Sequence, residues 1–297
     1  MTRSGFVALA GRPNAGKSTL LNRIVGEKVA IVSNRPQTTR RAIRGIATTD
    51  DWQLVLVDLP GVQRPRDALT ERMQRSVEKQ LADSDVVLFV LNGAERIGGG
   101  DRFIAAALSS SPVPVIAAVN KIDLLDKGRT AAALDSTASL EEEGVELREI
   151  FPVSARTGAG MGSLGGSLVD LLPEGPLYYP DEVRTDQPRE LALADLIREQ
   201  ALARTREEIP HAIEVKIEEI EDSERLTQIR AVLWVEAQSQ KGILIGRQGT
   251  MIREIGTAAR REIERQLGGP VYLALTVKVR KAWRRDESLL DRLGIEP

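Results

Sequence analysis

Across residues 1–172, short runs of aliphatic and β-branched side chains alternate with stretches whose apolar positions recur at helical spacing. GFVALA (5–10), RAIRGIAT (41–48), WQLVLVDLP (52–60), VVLFVLN (86–92), VPVIAAVN (113–120) and ELREIFPVS (146–154) read as strands. Residues 17–25 and the polar stretch 68–82 read as helices, and further helices are expected between the later strands. Such alternation predicts an α/β fold whose mostly parallel sheet is covered on both faces. The runs at 41–48 and 52–60 have no helix between them, so one edge pair is predicted to be antiparallel and the sheet mixed.

At residue 173 the texture changes. PEGPLYYPDEVRTDQP (173–188) holds four prolines and few aliphatics, and reads as an extended linker. This divides the chain into a first domain at 1–172, a linker at 173–187 and a second domain at 188–297. In the second, 190–206 is helical and 211–219 and 225–237 alternate as strands. Residues 251–266 are again helical and VYLALTVKV (271–279) is a last strand. The order is α-β-β-α-α-β, with ILI (243–245) read as a short strand-like segment.

Composition narrows the chemistry. The 297 residues contain no cysteine and one histidine, His211. That excludes a disulfide scaffold, thiolate metal sites and multi-histidine metal clusters. The longest purely apolar run, residues 86–91, is too short to span a membrane. A reduced, cytoplasmic protein is expected, with His211 structural. The net charge of −2 conceals a strong asymmetry. Residues 241–285 carry eleven Lys and Arg against three acids, whereas 207–224 carry eight acids against one Lys. A basic block of that kind suggests an anion-binding face.

Gly11-Arg12-Pro13-Asn14-Ala15-Gly16-Lys17-Ser18 fits the phosphate-loop pattern G-x-x-x-x-G-K-S/T, between a strand and a helix as that pattern requires. Its glycines let backbone N–H groups cradle a β-phosphate at a helix N-terminus, where Thr19 also lies. Lys17 is placed to reach the β- and γ-phosphates, and the Ser18 hydroxyl to ligate Mg²⁺. Asp58-Leu59-Pro60-Gly61 closes a later strand. There Asp58 is expected to hold the Mg²⁺ water shell, and the Gly61 N–H to meet the γ-phosphate.

Asn120-Lys121-Ile122-Asp123 follows another strand. A carboxylate at Asp123 can accept from guanine N1–H and the 2-amino group together, whereas adenine would leave it unpaired. In Val153-Ser154-Ala155 a backbone N–H can meet guanine O6. Pro36-Gln37-Thr38-Thr39-Arg40 lies in a polar connection, where Thr39 can close over the γ-phosphate and ligate Mg²⁺. In this order the elements predict a guanine-nucleotide-specific P-loop GTPase.

The same residues, followed by Gly246-Arg247-Gln248-Gly249 in the basic block, resemble the bacterial Era family of GTPases over roughly residues 5–290. That resemblance implies a Ras-like GTPase domain followed by an α+β type II KH domain. It also implies binding near the 3′ end of 16S ribosomal RNA, a role in 30S subunit assembly, and peripheral association with the inner face of the cell membrane. Two departures stand out. Leu59 replaces the threonine common in the family's D-x-x-G motif, and Gln248 takes the place of a second basic residue in the KH loop. The latter should weaken RNA backbone contact modestly and lower its salt dependence.

Such a loop lets the backbone approach a single strand and clamp about four nucleotides. The expected RNA contacts are Lys241, Ile245, Gly246, Arg247, Gln248, Gly249, Arg253, Arg280 and Lys281. Trp283 could stack on a base, although packing is the commoner use of a tryptophan beside a strand. Where Ras-type enzymes orient the attacking water with a glutamine, this chain has Val62, so slow intrinsic hydrolysis is expected. In related GTPases lacking that glutamine, the phosphate-loop asparagine holds K⁺. Asn14 occupies that position, which makes K⁺ a further expected cation beside GTP or GDP and Mg²⁺. A monomer is expected. The alternative is an RNA-binding module that uses GTP structurally with negligible turnover. A relative of the double GTPase Der would need a second phosphate loop, which the chain lacks.

Overall fold

A computed structural model describes residues 2–33, 38–61, 65–205 and 209–295, except for the side chains of Pro210 and His211. The expectations for Pro36, Gln37, Val62 and the His211 side chain therefore lie outside the described residues.

The first half runs β1 (Arg3–Ala10), α1 (Lys17–Val25), β2 (Ile43–Thr48), β3 (Trp52–Asp58), α2 (Ala68–Ala82), β4 (Val86–Asn92) and α3 (Gly99–Leu108). It continues with β5 (Val115–Asn120), α4 (Lys127–Ala138), β6 (Leu147–Pro152) and α5 (Met161–Leu171). The six strands form one sheet in the order β2-β3-β1-β4-β5-β6. β2 is antiparallel to β3, and every other pairing is parallel. The central strands are apolar on both sides because helices cover both faces, and β4 is buried at every position but its last. The phosphate loop, Asp58 and Asn120 all sit at the carboxyl ends of β1, β3 and β5, the edge at which open α/β sheets bind ligands.

The second half runs α6 (Arg189–Arg204), α7 (Ile209–Ala212), β7 (Glu214–Asp222), β8 (Thr227–Val235), α8 (Gln238–Ile245), α9 (Thr250–Leu267), β9 (Val271–Val279) and α10 (Glu287–Arg292). β8 pairs antiparallel with β7 and parallel with β9. One expectation fails here. The strand-like segment at 243–245 is the last turn of α8, and Leu244 is the fully buried side chain of that helix. Three consecutive apolar residues cannot distinguish a strand from a helix end facing a core on one side. The expected α-β-β-α-α-β order is kept, with α8 and α9 as its adjacent helices. Two short helices are added: α7, which takes the start of the stretch read as a strand from 211, and α10 after β9.

The proline-rich stretch is strapped along the first sheet. The buried Gln53 amide donates to the Tyr179 carbonyl (2.8 Å) and accepts from the Tyr178 and Tyr179 N–H groups (2.8 and 3.0 Å). The Ile46 N–H donates to the Arg184 carbonyl at 2.8 Å. The two halves also share apolar contacts. Ile31 packs into the core beneath the second sheet, and Leu69 and Met73 of α2 join Trp234, Trp283, Leu290 and Leu293.

Candidate nucleotide site and candidate RNA groove

The phosphate loop reverses the chain where only glycine fits. Gly11 has φ +152°, and a Cβ there would stand 2.4 Å from the Val90 carbonyl oxygen. Lys17, 7% exposed, donates to the Gly11 and Arg12 carbonyls at 3.0 and 3.2 Å. Its ammonium is therefore held over the loop, where phosphate oxygens would be approached. Burial lowers its pKa, partly offset by Asp58. Arg12 turns away to Asp101 (2.9 Å) and Glu95 (3.4 Å). Gly61 lies close against the loop, since a Cβ on it would come 2.8 Å from Pro13 Cγ. Asn14 is exposed in the left-handed region, with φ +65°.

Three oxygen-bearing side chains converge beside Lys17. Ser18 Oγ and Thr39 Oγ1 both donate to Asp58 Oδ2, at 2.6 and 3.0 Å, and lie 3.3 Å from each other. Asp58 is fully buried, yet among the described residues its Oδ1 has no hydrogen-bond partner. Burial raises its pKa, against the opposing effects of Lys17, Ser18 and Thr39. An orphaned carboxylate oxygen beside two hydroxyls is a hard, oxygen-only donor set of the type Mg²⁺ takes, so the residues fit the metal. Pro13, Asn14, Gly16, Lys17, Ser18, Thr19, Ser33, Thr38, Thr39 and Gly61 line the cavity above them. Leu59, the departure in the D-x-x-G motif, is wholly buried and packs with Ala8, Val57 and Val77.

At the far end of the cleft, Asn120 Nδ2 donates to the Ala15 carbonyl at 3.0 Å, tying β5 to the phosphate loop. Asn120 Oδ1 accepts from the Lys121 and Ala155 N–H groups at 2.8 and 3.0 Å. Of the backbone N–H groups in Val153-Ser154-Ala155, that of Ala155 thus already donates to Asn120. Lys121 Nζ donates to the Asn14 carbonyl at 2.7 Å. Asp123 Oδ1 accepts from Ser154 Oγ at 2.6 Å, while Oδ2 lies 2.9 Å from Arg156. Sequence reasoning missed Arg156 and also Arg23, which donates to the Ala155 carbonyl at 2.8 Å. Only the place of Arg156 directly after Ser154-Ala155 could have flagged it.

In the second domain Gly246 and Gly249 have φ +73° and +75°, and Gln248 between them also has positive φ. Arg247 and Gln248 are exposed between α8 and α9, and Arg253 Nη2 lies 3.5 Å from the Gln248 carbonyl. Beside the loop, α9 and β9 flank an open groove of about 380 Å³. Ile252, Arg253, Gly256, Arg260, Leu275 and the exposed Tyr272 are among the residues lining it. Tyr272 was not foreseen, although an aromatic at an outward position of an alternating strand is a usable signal. Lys241 and Ile245 are half-buried, while Arg280 and Lys281 are exposed, with Arg280 over the Trp234 ring at 5.7 Å. Trp283 is no stacking platform. It is fully buried, and its Nε1 donates to the Ala212 carbonyl at 3.0 Å.

A family model described as a 50S ribosome-binding GTPase matches residues 6–121, and one described as a KH domain matches residues 208–284. The GTPase Era proteins of Mycobacterium avium and Mycolicibacterium smegmatis are each 48% identical to this chain, covering 98% of it and 98% of their own lengths. The chain belongs to the Era family of GTPases. Two solved Era structures superpose over 100% of both chains at 35% identity. One is a point variant of Aquifex aeolicus Era bound to GDP·AlF4⁻, with a TM-score of 0.93. The other is Era in complex with MgGDPNP and nucleotides 1506–1542 of 16S ribosomal RNA, with a TM-score of 0.94. The mixed six-stranded sheet is accordingly the Era P-loop GTPase domain and the three-stranded sheet its KH domain. Among the described residues no helix is long and apolar enough to cross a membrane.

Proposed function

We propose that this Era GTPase is a Mg²⁺-dependent, GTP-hydrolysing switch whose KH domain binds the 3′ end of 16S ribosomal RNA during 30S subunit assembly. The observation that carries the reading is the Ser18–Thr39–Asp58 cluster beside Lys17, in a chain that also presents the Gly246–Gly249 loop beside an open groove of α9 and β9. The RNA assignment draws support from the full-length likeness to the Era–RNA complex. The working division is residues 1–172 for GTP, 173–187 as linker and 188–297 for RNA.

In this reading Gly11 to Thr19 wrap the phosphates, with Lys17 supplying positive charge to the β- and γ-oxygens. Ser18, Thr39 and Asp58 would hold the metal, whose charge would neutralise developing phosphate charge. Gly61 contributes its N–H at the γ-phosphate. Asn120, Lys121, Asp123, Ser154 and Ala155 select guanine. The chain acts as a monomer in the cytoplasm, associating peripherally with the inner face of the cell membrane. Assays of GTP turnover with and without a 16S 3′-end oligonucleotide test the whole. Nucleotide binding with negligible turnover in both would leave an RNA module that uses GTP structurally.

Val62 cannot orient water, so intrinsic hydrolysis is slow and a second cation contributes. With K⁺ at Asn14 near the β- and γ-phosphates, exchange of K⁺ for Na⁺ is expected to cut turnover severalfold. Asn14→Ala should erase the difference between the two salts. Equal rates of the wild-type protein in K⁺ and Na⁺ would remove the ion from the mechanism.

The RNA loop gives a cleaner test. A Cβ at Gly249 meets nothing nearer than Ile252 Cγ2 at 3.9 Å, and aspartate tolerates positive φ better than most residues. Gly249→Asp is therefore expected to fold and bind GTP normally. Its side chain and charge would oppose the close approach of an RNA strand, lowering affinity at least tenfold, or roughly 1.4 kcal/mol. RNA titrations at one fixed salt concentration check this, and undiminished binding rejects the loop.

A further inference from the structure

The segment that carries Thr39 continues as Arg40-Arg41, and both side chains leave the GTPase domain. Arg40 is 2% exposed, and its Nη1 donates to the Ile213 carbonyl at 2.6 Å and to Glu214 Oε2 at 2.7 Å. Its guanidinium lies 5.4 Å from the centroid of the Trp283 ring. Arg41 Nε donates to the Leu293 carbonyl at 2.8 Å, and its terminal nitrogens stand 3.5 Å from Asp195 and 3.7 Å from Glu214. Every one of these partners belongs to the KH half. Arg198 completes the group, 2.7 Å from Asp195 and 3.6 Å from Glu214.

Three buried guanidinium groups thus surround two buried carboxylates. Burial would push the Glu214 carboxyl up, but Arg198, Arg41 and Arg40 outweigh it and hold it at about 2. Arg40, buried and crowded by Arg198 and Arg41 despite Glu214, falls to about 10. Removing one member of such a group leaves an uncompensated buried charge, so the geometry is strongly defended. Consecutive Cα atoms are ~3.8 Å apart. Fixing Arg40 inside the KH domain therefore fixes, within one residue, where Thr39 Oγ1 can stand.

We propose that Glu214, a KH-domain residue, is a positioning residue for GTP hydrolysis: through Arg40 it holds Thr39 at the Mg²⁺ site. The inference rests on the reading of Thr39 as a metal ligand. The KH domain then tunes the reaction from a fully buried contact, without touching nucleotide.

The test uses the full-length chain. In Glu214→Gln, the Mg²⁺ concentration needed for half-maximal binding of a fluorescent non-hydrolysable GTP analogue is expected to rise about fivefold. The single-turnover rate at saturating nucleotide should fall about tenfold, while GDP affinity stays within twofold. Thr39→Ala should reproduce the Mg²⁺ effect, and Glu214→Gln should add nothing further in the Thr39→Ala background, because both act on one group. A folded Glu214→Gln with unchanged Mg²⁺ requirement and rate, or additive effects in the double variant, overturns the proposal. An inert Thr39→Ala instead overturns the metal-ligand reading beneath it. Should Glu214→Gln fail to fold, Glu214→Asp keeps the charge, shortens the reach and is expected to give a smaller shift in the same direction. Amide exchange of the wild-type protein gives an independent check. Residues 38–42 should gain and lose protection together with 213–215 under mild denaturant, and fast exchange at 38–42 while 213–215 stays protected would reject the anchor.

Discussion

Replacing Asp123 by asparagine is expected to convert a guanine site into a xanthine site. The Asp123 carboxylate sits at the end of the cleft, with Oδ1 on Ser154 Oγ at 2.6 Å and Oδ2 2.9 Å from Arg156. Two donors on guanine, N1–H and the 2-amino group, match two carboxylate oxygens. An asparagine side chain offers one acceptor and one donor, so it opposes the 2-amino group and suits the 2-oxo group of xanthine. A site built to pair a polar group discriminates strongly against a ligand that leaves it unpaired. GTP affinity should fall by at least about a hundredfold, or roughly 2.7 kcal/mol, while XTP affinity rises. Competition titrations with GTP, XTP and ATP measure both changes. A variant that keeps its GTP preference would remove Asp123 from base recognition.

How much of this site is legible in the sequence depends on whether its parts are local. The phosphate loop, Asp58-Leu59-Pro60-Gly61 and Asn120-Lys121-Ile122-Asp123 each need a strand end and a few adjacent residues, and the short apolar, β-branched runs mark those strand ends. The predicted antiparallel edge pair likewise follows from the short connection between β2 and β3, which holds no crossover helix. What the sequence conceals depends on distant pairings. Arg40 and Glu214 are 174 residues apart, and each alone reads as an ordinary surface charge. Glu214 falls in an acidic stretch that reads as a charged surface, yet it is wholly buried among arginines. The 173–187 stretch has little apolar content to signal packing. Its attachment runs through backbone groups, the buried side chain of Gln53 and contacts such as Arg44 with Asp186 and Phe6 with Tyr178, which no hydropathy pattern reveals. For Trp283 the sequence favours packing over stacking, which its burial bears out, but only the third dimension places it under Arg40.

The neutral substitution Asp58→Asn should separate stability from activity at the same atom. Asp58 is fully buried, its Oδ1 has no hydrogen-bond partner among the described residues, and burial raises its pKa from the ordinary 3.8 despite Lys17, Ser18 and Thr39. A carboxyl whose folded-state pKa is raised contributes stability below its unfolded pKa, and that contribution is lost as pH rises through the folded value. Above that folded value the wild-type protein, stripped of nucleotide and Mg²⁺, has lost it. An asparagine carbonyl can accept from both the Ser18 and Thr39 hydroxyls, leaving its amide where Oδ1 now stands. A neutral orphaned group in that position costs less than a charged one. Asp58→Asn should therefore melt at a higher temperature than wild type once the Asp58 carboxyl is ionised, with the gap closing as pH is lowered toward 3.8. Turnover should move the other way. Loss of the carboxylate from the metal cluster is expected to reduce GTP hydrolysis at least about a hundredfold. Thermal melts across that pH range and a turnover assay at saturating Mg²⁺ check the two halves separately. A gap that widens toward acid would refute the buried-charge account of Asp58. Near-wild-type turnover would instead refute its place in the metal site.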